Sequence, residues 1–107
     1  MSTASHVVTD NPARHRFEIA LDDGEIAIAD FMLRDGKILF THTEVPEGHE
    51  GQGIGTALIR FALAAARDRG LKVVPICPFF ADYMKKHADV QDLLDLDWRE
   101  RLGLDRT

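Results

Sequence analysis

The sequence predicts a mixed α+β fold in which an antiparallel meander of strands is followed by a strand–helix–strand–helix segment. Two observations lead to this prediction: apolar and polar residues alternate through much of the first half, and the spacing becomes helical after a glycine-rich stretch. The predicted order, β-β-β-α-β-α, gives one mixed, twisted sheet with helices packed on it. The length of 107 residues fits a single domain.

Three strands are predicted in the first half of the chain. The segment RFEIAL alternates apolar and polar residues, and DDG follows it as a turn. In EIAIADFMLR the apolar strand positions are Ile26, Ile28 and then Phe31 or Met32, so the phase changes near Asp30 and permits a β-bulge. RDGK is a second hairpin turn and KILFTHTEV is the third strand.

One long helix follows the glycines. The segment IGTALIRFALAAARDRG is predicted to bury the apolar residues at helical spacing, and Gly70 is expected to end it. These apolar residues are Ile54, Leu58, Phe61, Ala62 and Ala65. LKVVPIC then reads as a central strand, parallel to the third strand through a right-handed crossover. FFADYMKKHADVQDLL is predicted to form one or two short helices.

The chain divides into three predicted parts. Residues 1–14 are predicted to be a flexible arm, because the segment is rich in small polar residues. Residues 15–97 form the domain. Residues 98–107 are a charged tail, in which Trp98 could hold the chain against the domain.

Composition and charge narrow the class of protein. The net charge of -5, without a dense Lys/Arg cluster, disfavours a nucleic-acid partner. No apolar run approaches the roughly 20 residues that span a membrane, and the N-terminus has no apolar signal region. The single cysteine, Cys77, cannot form an internal disulfide and favours a reducing, cytoplasmic setting. One cysteine with scattered histidines gives no zinc-ligand spacing, so no metal site is predicted.

The stretch EVPEGHEGQGIGTALIRF places Gly51, Gly53 and Gly55 at alternate positions directly before the helix. A helix start leaves backbone N–H groups unpaired and carries partial positive charge, so glycines there let an anion such as a pyrophosphate approach closely. The other interpretation is a turn that only connects strand to helix. A P-loop is excluded because Thr56, not lysine, follows Gly55, and the alternate spacing does not match a dinucleotide fingerprint.

A third kind of loop fits this stretch. EGQGIGTAL resembles the acetyl-coenzyme A loop of the GCN5-related N-acetyltransferases, whose pattern is Arg/Gln-x-x-Gly-x-Gly/Ala, with Gly53 and Gly55 at its two glycine positions. The ordered set HTEVP, GQGIG, LKVVPICPF and YMKKH resembles the small single-domain branch of that superfamily over residues 15–95. Two features depart from the family. Glu50 holds the Arg/Gln position, and the chain lacks the first strand and two helices that wall the acceptor site in larger members.

The resemblance implies acetyl-CoA as co-substrate. In the family the loop amides wrap the pyrophosphate, and the pantetheine arm lies between the two strands that flank the loop and helix. A backbone N–H near Val45 would polarise the thioester. The implied cofactor-binding residues are Val45, Gly51, Gln52, Gly53, Ile54, Gly55, Thr56 and Cys77. Gln52 and Arg60 are the side chains that could compensate for Glu50.

Four side chains are candidates for the chemistry. Glu44 is the first candidate base, and His42, on the same strand face, is the second; each could instead be an ordinary strand residue. Tyr83 matches the tyrosine that many family members place near the coenzyme sulfur as the acid, although it could also be a packing residue. Cys77 is interpreted first as a small buried lining residue and second as a nucleophile, which would need an adjacent base.

Three conspicuous side chains near these candidates are assigned structural roles. Phe79 and Phe80 are predicted to lie in the core, and His49 is predicted to be an exposed loop residue.

The sequence is therefore interpreted as a small acetyl-CoA-dependent N-acetyltransferase. It would transfer an acetyl group directly to an unidentified small-molecule or peptide amine, as a monomer or homodimer. The alternatives are transfer through a Cys77 intermediate, a non-catalytic acetyl-CoA-binding module, and an interaction protein that has lost the coenzyme.

Overall fold

The computed structural model describes residues 7–49, 51 and 53–104. The strands are β1 Val8–Asn11, β2 Arg16–Ala20, β3 Ile26–Arg34, β4 Lys37–Glu44 and β5 Lys72–Pro75. The helices are α1 Ile54–Asp68, α2 Pro78–Lys86 and α3 Leu96–Arg101, with a 3₁₀ helix at Ala88–Leu93. This arrangement confirms the predicted α+β class and the order of its central elements.

The strands form one mixed sheet in the order β1-β2-β3-β4-β5. Neighbouring strands are antiparallel except β4 and β5, which are parallel, as the predicted crossover requires. The prediction that β5 is central is wrong, because β5 lies at the end of the sheet. Its outer side is protected by the chain that follows: Leu94 bridges Val73, and the Asp95 N–H donates to the Val73 carbonyl at 3.0 Å.

The prediction that residues 1–14 form a flexible arm is wrong for Val8–Asn11, which form the edge strand β1. This strand pairs with β2, and Arg69 at the end of α1 binds Asp10 at 2.7 Å. Both contacts depend on residues outside the segment, so its composition alone did not indicate them. Residues 1–6 and 105–107 lie outside the described residues.

The core lies between one face of the sheet and the helices. α1 buries six of its larger residues and Gly55 against the sheet; the six are Ile54, Leu58, Ile59, Ala62, Leu63 and Ala66. The prediction that Phe61 is buried is wrong: it is 41% exposed and packs edge-on against Phe17 at the margin of the core. On β3 the buried residues are Ala27, Ala29 and Phe31. Ile26, which the sequence marked as an apolar strand position, is exposed on the opposite face.

The sheet carries the predicted irregularity near Asp30, but the extra residue is on the neighbouring strand. Asp30 pairs with His42 and Phe31 pairs with Phe40, so Thr41 is the additional residue of a β-bulge in β4. A single additional residue reverses which face each later side chain occupies. The bulge therefore decides how the end of β4 presents its side chains.

The tail predicted for residues 98–107 begins inside α3, Leu96–Arg101. Trp98 is half-buried and packs against the core, as its size suggested. Asp95, the N-cap residue of α3, forms an ion pair with Lys37 on β4 at 2.8 Å. Across the described part of the chain, no helix has the length and apolar character needed to cross a bilayer.

Candidate functional site

An opening in the sheet lies beyond the point where β4 and β5 stop pairing. Their register ends at Phe40 and Pro75, and one further backbone hydrogen bond follows, in which the Cys77 N–H donates to the Phe40 carbonyl at 2.8 Å. β4 continues to Glu44, whereas the other chain turns into α2. The two segments therefore diverge beyond this point.

The glycine loop closes one end of this opening. Gly53 is the N-cap of α1 with φ 77°, and Gly51 has φ 84°. Both values lie in the left-handed region that side chains disfavour, and a Cβ added at either position would meet nothing within 4 Å. These two glycines are needed for their backbone conformation. No carboxylate lies in the first turn of α1, so its positive end is not neutralised there by its own helix.

A cavity of about 400 Å³ lies between this helix start and the end of β4. Its lining residues are Thr43, Val45, His49, Gly51, Gly53, Ile54, Gly55, Thr56 and Phe79. Six of the eight predicted cofactor-binding residues are among them. Of the other two, Cys77 contacts the lining residue Thr43, and Gln52 lies outside the described residues, as does Glu50.

A glycine is needed at position 55 for a different reason from the one that applies at Gly51 and Gly53. A Cβ at this position would lie 2.5 Å from the Phe79 ring, a distance that real Cβ atoms do not show, so the ring occupies the space a side chain would need. The prediction that Phe79 lies in the core is wrong, since it is 45% exposed and lines the cavity. Phe80 is in the core as predicted, fully buried and stacked on Phe40.

Cys77 is a buried residue at the start of α2. It is 6% exposed, and its Sγ lies 3.3 Å from Thr43 Oγ1. Thr43 pairs with the buried Ala29 across β3, so it faces the helices rather than the open side of the sheet. The first interpretation of Cys77, a small buried lining residue, describes this environment.

His42 and Glu44 lie on the opposite face of the same strand. They pair with Asp30 and Ile28, and His42 Nε2 is 3.3 Å from Glu44 Oε1. Their side chains are 58% and 65% exposed, respectively. The sequence correctly put these two together, but β4 separates them from Cys77, so the structure does not provide His42 as a base for that thiol.

His49 is more structured than predicted. Its side chain is only 16% exposed, lines the cavity, and lies with Nε2 2.8 Å from Asp23 Oδ2. The hydrogen bond from His49 is the main reason that the pKa of Asp23 is lowered. This contact holds the glycine loop against the turn between β2 and β3.

Tyr83 lies in a separate groove of about 760 Å³ between α1, α2 and the 3₁₀ helix. Its ring stacks on His87 with centroids 3.8 Å apart, and the Arg60 Nε–H donates to its hydroxyl at 3.4 Å. Tyr83 does not line the glycine-loop cavity among the described residues. The structure therefore does not place it with the other predicted catalytic side chains.

Comparisons with known proteins identify the family. A family model described as GCN5-related N-acetyl-transferase matches residues 16–93, which is most of the chain. The chain belongs to this family of N-acetyltransferases, as the glycine loop and its ordered flanking motifs predicted. A comparison with curated proteins finds no match.

A solved structure supports the same fold. The NMR solution structure of a GCN5-like candidate N-acetyltransferase from Staphylococcus aureus is similar with a TM-score of 0.68 and 23% sequence identity. The match covers 87% of this chain and 91% of that chain. It confirms the predicted fold.

Sequence reasoning missed three lining residues: His49, which was predicted to be an exposed loop residue, Thr43 and Phe79. Thr43 lies between the two base candidates in sequence, and only the β-bulge at Thr41 shows that it faces the cavity. Phe79 follows Pro78 at the start of α2, where an apolar residue beside another phenylalanine reads as core. The one available signal was the proline, which indicates a helix start and hence a loop edge close to the site.

Proposed function

We propose that the protein transfers an acetyl group from acetyl-CoA directly to an amine that approaches the uncovered face of the sheet. The observation that carries the proposal is the cavity of about 400 Å³ shared by the start of α1 and the end of β4. It joins an anion-binding helix end to the point where β4 and β5 diverge. In a chain of this family, that combination suits a pyrophosphate at one end and a thioester at the other.

The coenzyme would bind at the glycine loop and in the opening between β4 and the start of α2. Backbone N–H groups of Ile54, Gly55 and Thr56, at the first turn of α1, would bind the pyrophosphate. The pantetheine arm would lie along Thr43 and Val45. The backbone N–H of Val45 would polarise the thioester carbonyl as negative charge develops on its oxygen.

Acetyl transfer to the amine would take place at the opposite face of β4. Glu44, with His42 beside it, would accept the proton that the amine loses as it attacks the thioester carbonyl. The C–S bond then breaks and the coenzyme leaves as a thiolate, which takes up one proton. The proposed donor of that proton is water, because Tyr83 lies in a separate groove with its hydroxyl hydrogen-bonded to Arg60. Tyr83→Phe should therefore keep its kcat; a large fall in kcat would instead make Tyr83 the acid.

Direct transfer is favoured over a Cys77 intermediate by the surroundings of the thiol. Cys77 is nearly buried, has a threonine hydroxyl as its close polar neighbour, and lies across the strand from His42. A nucleophilic thiol needs a base or a cation beside it, and neither is among these contacts. The lone thiol suits a reducing compartment, and we place the reaction in the cytoplasm.

The test is binding followed by turnover. Acetyl-CoA affinity is measured by calorimetry, and release of free CoA is measured across an amine panel after correction for hydrolysis. Tight binding with turnover that falls in Glu44→Gln supports the proposal. Tight binding without turnover for any amine would instead identify a non-catalytic acetyl-CoA-binding module.

A third outcome concerns the coenzyme itself. A ligand that binds only the folded protein must raise its Tm by mass action. If acetyl-CoA at high concentration causes no shift in Tm, the coenzyme site is absent and the chain is an interaction protein. This experiment also answers whether binding survives the Glu50 substitution at the family's Arg/Gln position.

A further inference from the structure

We propose that Phe79 is a positioning residue that holds the pantetheine arm of the coenzyme against β4. This inference rests on the proposed function, since it needs an acyl-CoA in the glycine-loop cavity. It assigns a role to a side chain outside the predicted cofactor-binding and catalytic sets.

The environment of Phe79 differs sharply from that of the next residue. Phe80 is fully buried, and its ring stacks on Phe40 with centroids 4.1 Å apart. Phe79 is 45% exposed and lines the cavity. A large apolar ring left open to solvent at the wall of a cavity offers contact area to a ligand rather than to the core.

The contact with Gly55 fixes where the ring lies. A Cβ on Gly55 would be 2.5 Å and 2.6 Å from two atoms of the ring, and 3.7 Å from Cγ2 of Val45. The ring and Val45 therefore both approach the first turn of α1 at the same residue. The wall of the cavity therefore includes the first turn of α1, the Val45 side chain and the Phe79 ring.

The chemistry of the pantetheine arm suits a cavity with this partly apolar wall. Pantetheine is a flexible, uncharged chain of methylene and amide groups, so it gains mainly from apolar contact and loses conformational freedom when held in place. Because the Phe79 ring already packs against α1, it can hold the arm in place without losing much conformational freedom of its own. The nucleotide half of the coenzyme, in contrast, is bound by charge and backbone N–H groups at the loop.

The closing experiment separates the two halves of the coenzyme. Affinities for acetyl-CoA and for 3′-phosphoadenosine 5′-diphosphate, which lacks the arm, are measured for wild type, Phe79→Leu and Phe79→Ala. We expect Phe79→Ala to weaken acetyl-CoA binding about tenfold and Phe79→Leu to weaken it less, with the nucleotide affinity unchanged in both. The matched control is Phe61→Ala, which removes a similarly exposed phenylalanine from the middle of α1, outside the lining of the cavity.

Gly55 supplies a second, independent arm of the test. Gly55→Ala should displace the ring and weaken acetyl-CoA binding as Phe79→Ala does. The double variant should bind no worse than Phe79→Ala alone, because the added methyl group then meets no ring. Additive losses would mean that Gly55 clears space for the coenzyme instead, as the sequence alone suggested.

Each outcome of these binding measurements supports or overturns the role of Phe79. Unchanged acetyl-CoA affinity in folded Phe79→Ala, or equal loss of both ligands, would overturn the positioning role while leaving the proposed function intact. If wild type binds neither ligand, the proposed function fails and this inference fails with it. Thermal unfolding of every variant shows whether any loss reflects misfolding.

Discussion

Thr43 and Cys77 join the two segments that diverge at the site: Thr43 Oγ1 on β4 lies 3.3 Å from Cys77 Sγ at the start of α2. The contact lies on the helix side of the sheet, on the face opposite His42 and Glu44. It makes Cys77 a structural neighbour of the cavity rather than a partner of the base candidates. The first prediction follows from this contact.

Cys77→Ala should keep most of its turnover and lose roughly 1 kcal/mol of unfolding free energy through the lost hydrogen bond and packing. Thr43→Val is the matched variant, since it removes the same hydrogen bond but leaves the thiol in place. Turnover and urea unfolding check both variants. Loss of all activity in Cys77→Ala, with an acetyl adduct on the wild-type chain by rapid-quench mass spectrometry, would establish the covalent route.

Glu44→Gln should lower kcat by about 10²–10⁴-fold if this carboxylate is the base, while acetyl-CoA affinity stays unchanged. The separation of effects is expected because Glu44 and the coenzyme cavity lie on opposite faces of β4. Steady-state kinetics and calorimetry measure the two quantities. Glu25→Gln, an exposed carboxylate before β3, is the control.

His42→Asn distinguishes the two base candidates. If Glu44 is the base and His42 only orients it, this variant keeps measurable turnover at a reduced kcat. A larger kcat loss in His42→Asn than in Glu44→Gln would reverse the roles. Full activity in both would remove this pair from the mechanism.

Gly53→Ala should cost about 1–2 kcal/mol of stability, because Ala would have to adopt the φ of 77° at the N-cap of α1. Gly24→Ala is the matched control, with φ 88° in a hairpin turn and equally open surroundings. Both variants should lose similar stability in urea unfolding. Only Gly53→Ala should also weaken acetyl-CoA binding; equal affinity in the two would argue against a pyrophosphate at this helix start.

Glu18→Gln tests an electrostatic contribution to the sheet. The Arg16 hydrogen bond is the main reason that the pKa of Glu18 is lowered, and Asn11 also donates to the same oxygen at 3.1 Å. The folded-state pKa lies below the ordinary value of about 4.3, so the stabilisation is fully present above that pH and is lost as the pH falls through the lowered pKa.

The substitution should therefore cost up to about 1 kcal/mol at neutral pH. The difference from wild type should shrink below about pH 4 and vanish under more acidic conditions. Unfolding free energies across this pH range check it, with Glu47→Gln as an exposed control. A difference that does not depend on pH would show that packing, not charge, is responsible.

The local pattern predicted the elements that depend on neighbours in sequence. Alternation marked β2 and β4, helical spacing marked α1, and Gly70 ends that helix as expected: its φ is 69°, and the Leu71 N–H returns to the Ala66 carbonyl at 2.9 Å. The ordered motifs around the glycine loop were sufficient to identify the family. Each of these features is set by residues close together in sequence, where residue type and local conformation are closely linked.

Contacts with other segments decided what the local pattern missed. Asn and Asp in Val8–Asn11 disfavour a strand by propensity, yet this segment pairs with β2 and receives Arg69 from α1. The strand β5 is as apolar as a central strand, but Leu94 and Asp95 cover its outer side. β2 directly follows β1, whereas Arg69, Leu94 and Asp95 are distant in sequence from the strands that they contact; in both cases the deciding contacts lie outside the segment itself.

By itself, then, the sequence determined a glycine loop before a helix, a family, and a pair of base candidates that share one strand face. Only the tertiary structure decided which face that is. The extra residue at Thr41 turns Thr43 toward the cavity and His42 and Glu44 away from it, and the seat on Gly55 places Phe79 in the cavity wall. The physical reason is that side-chain direction on a strand depends on register with the partner strand, and no segment specifies its register alone.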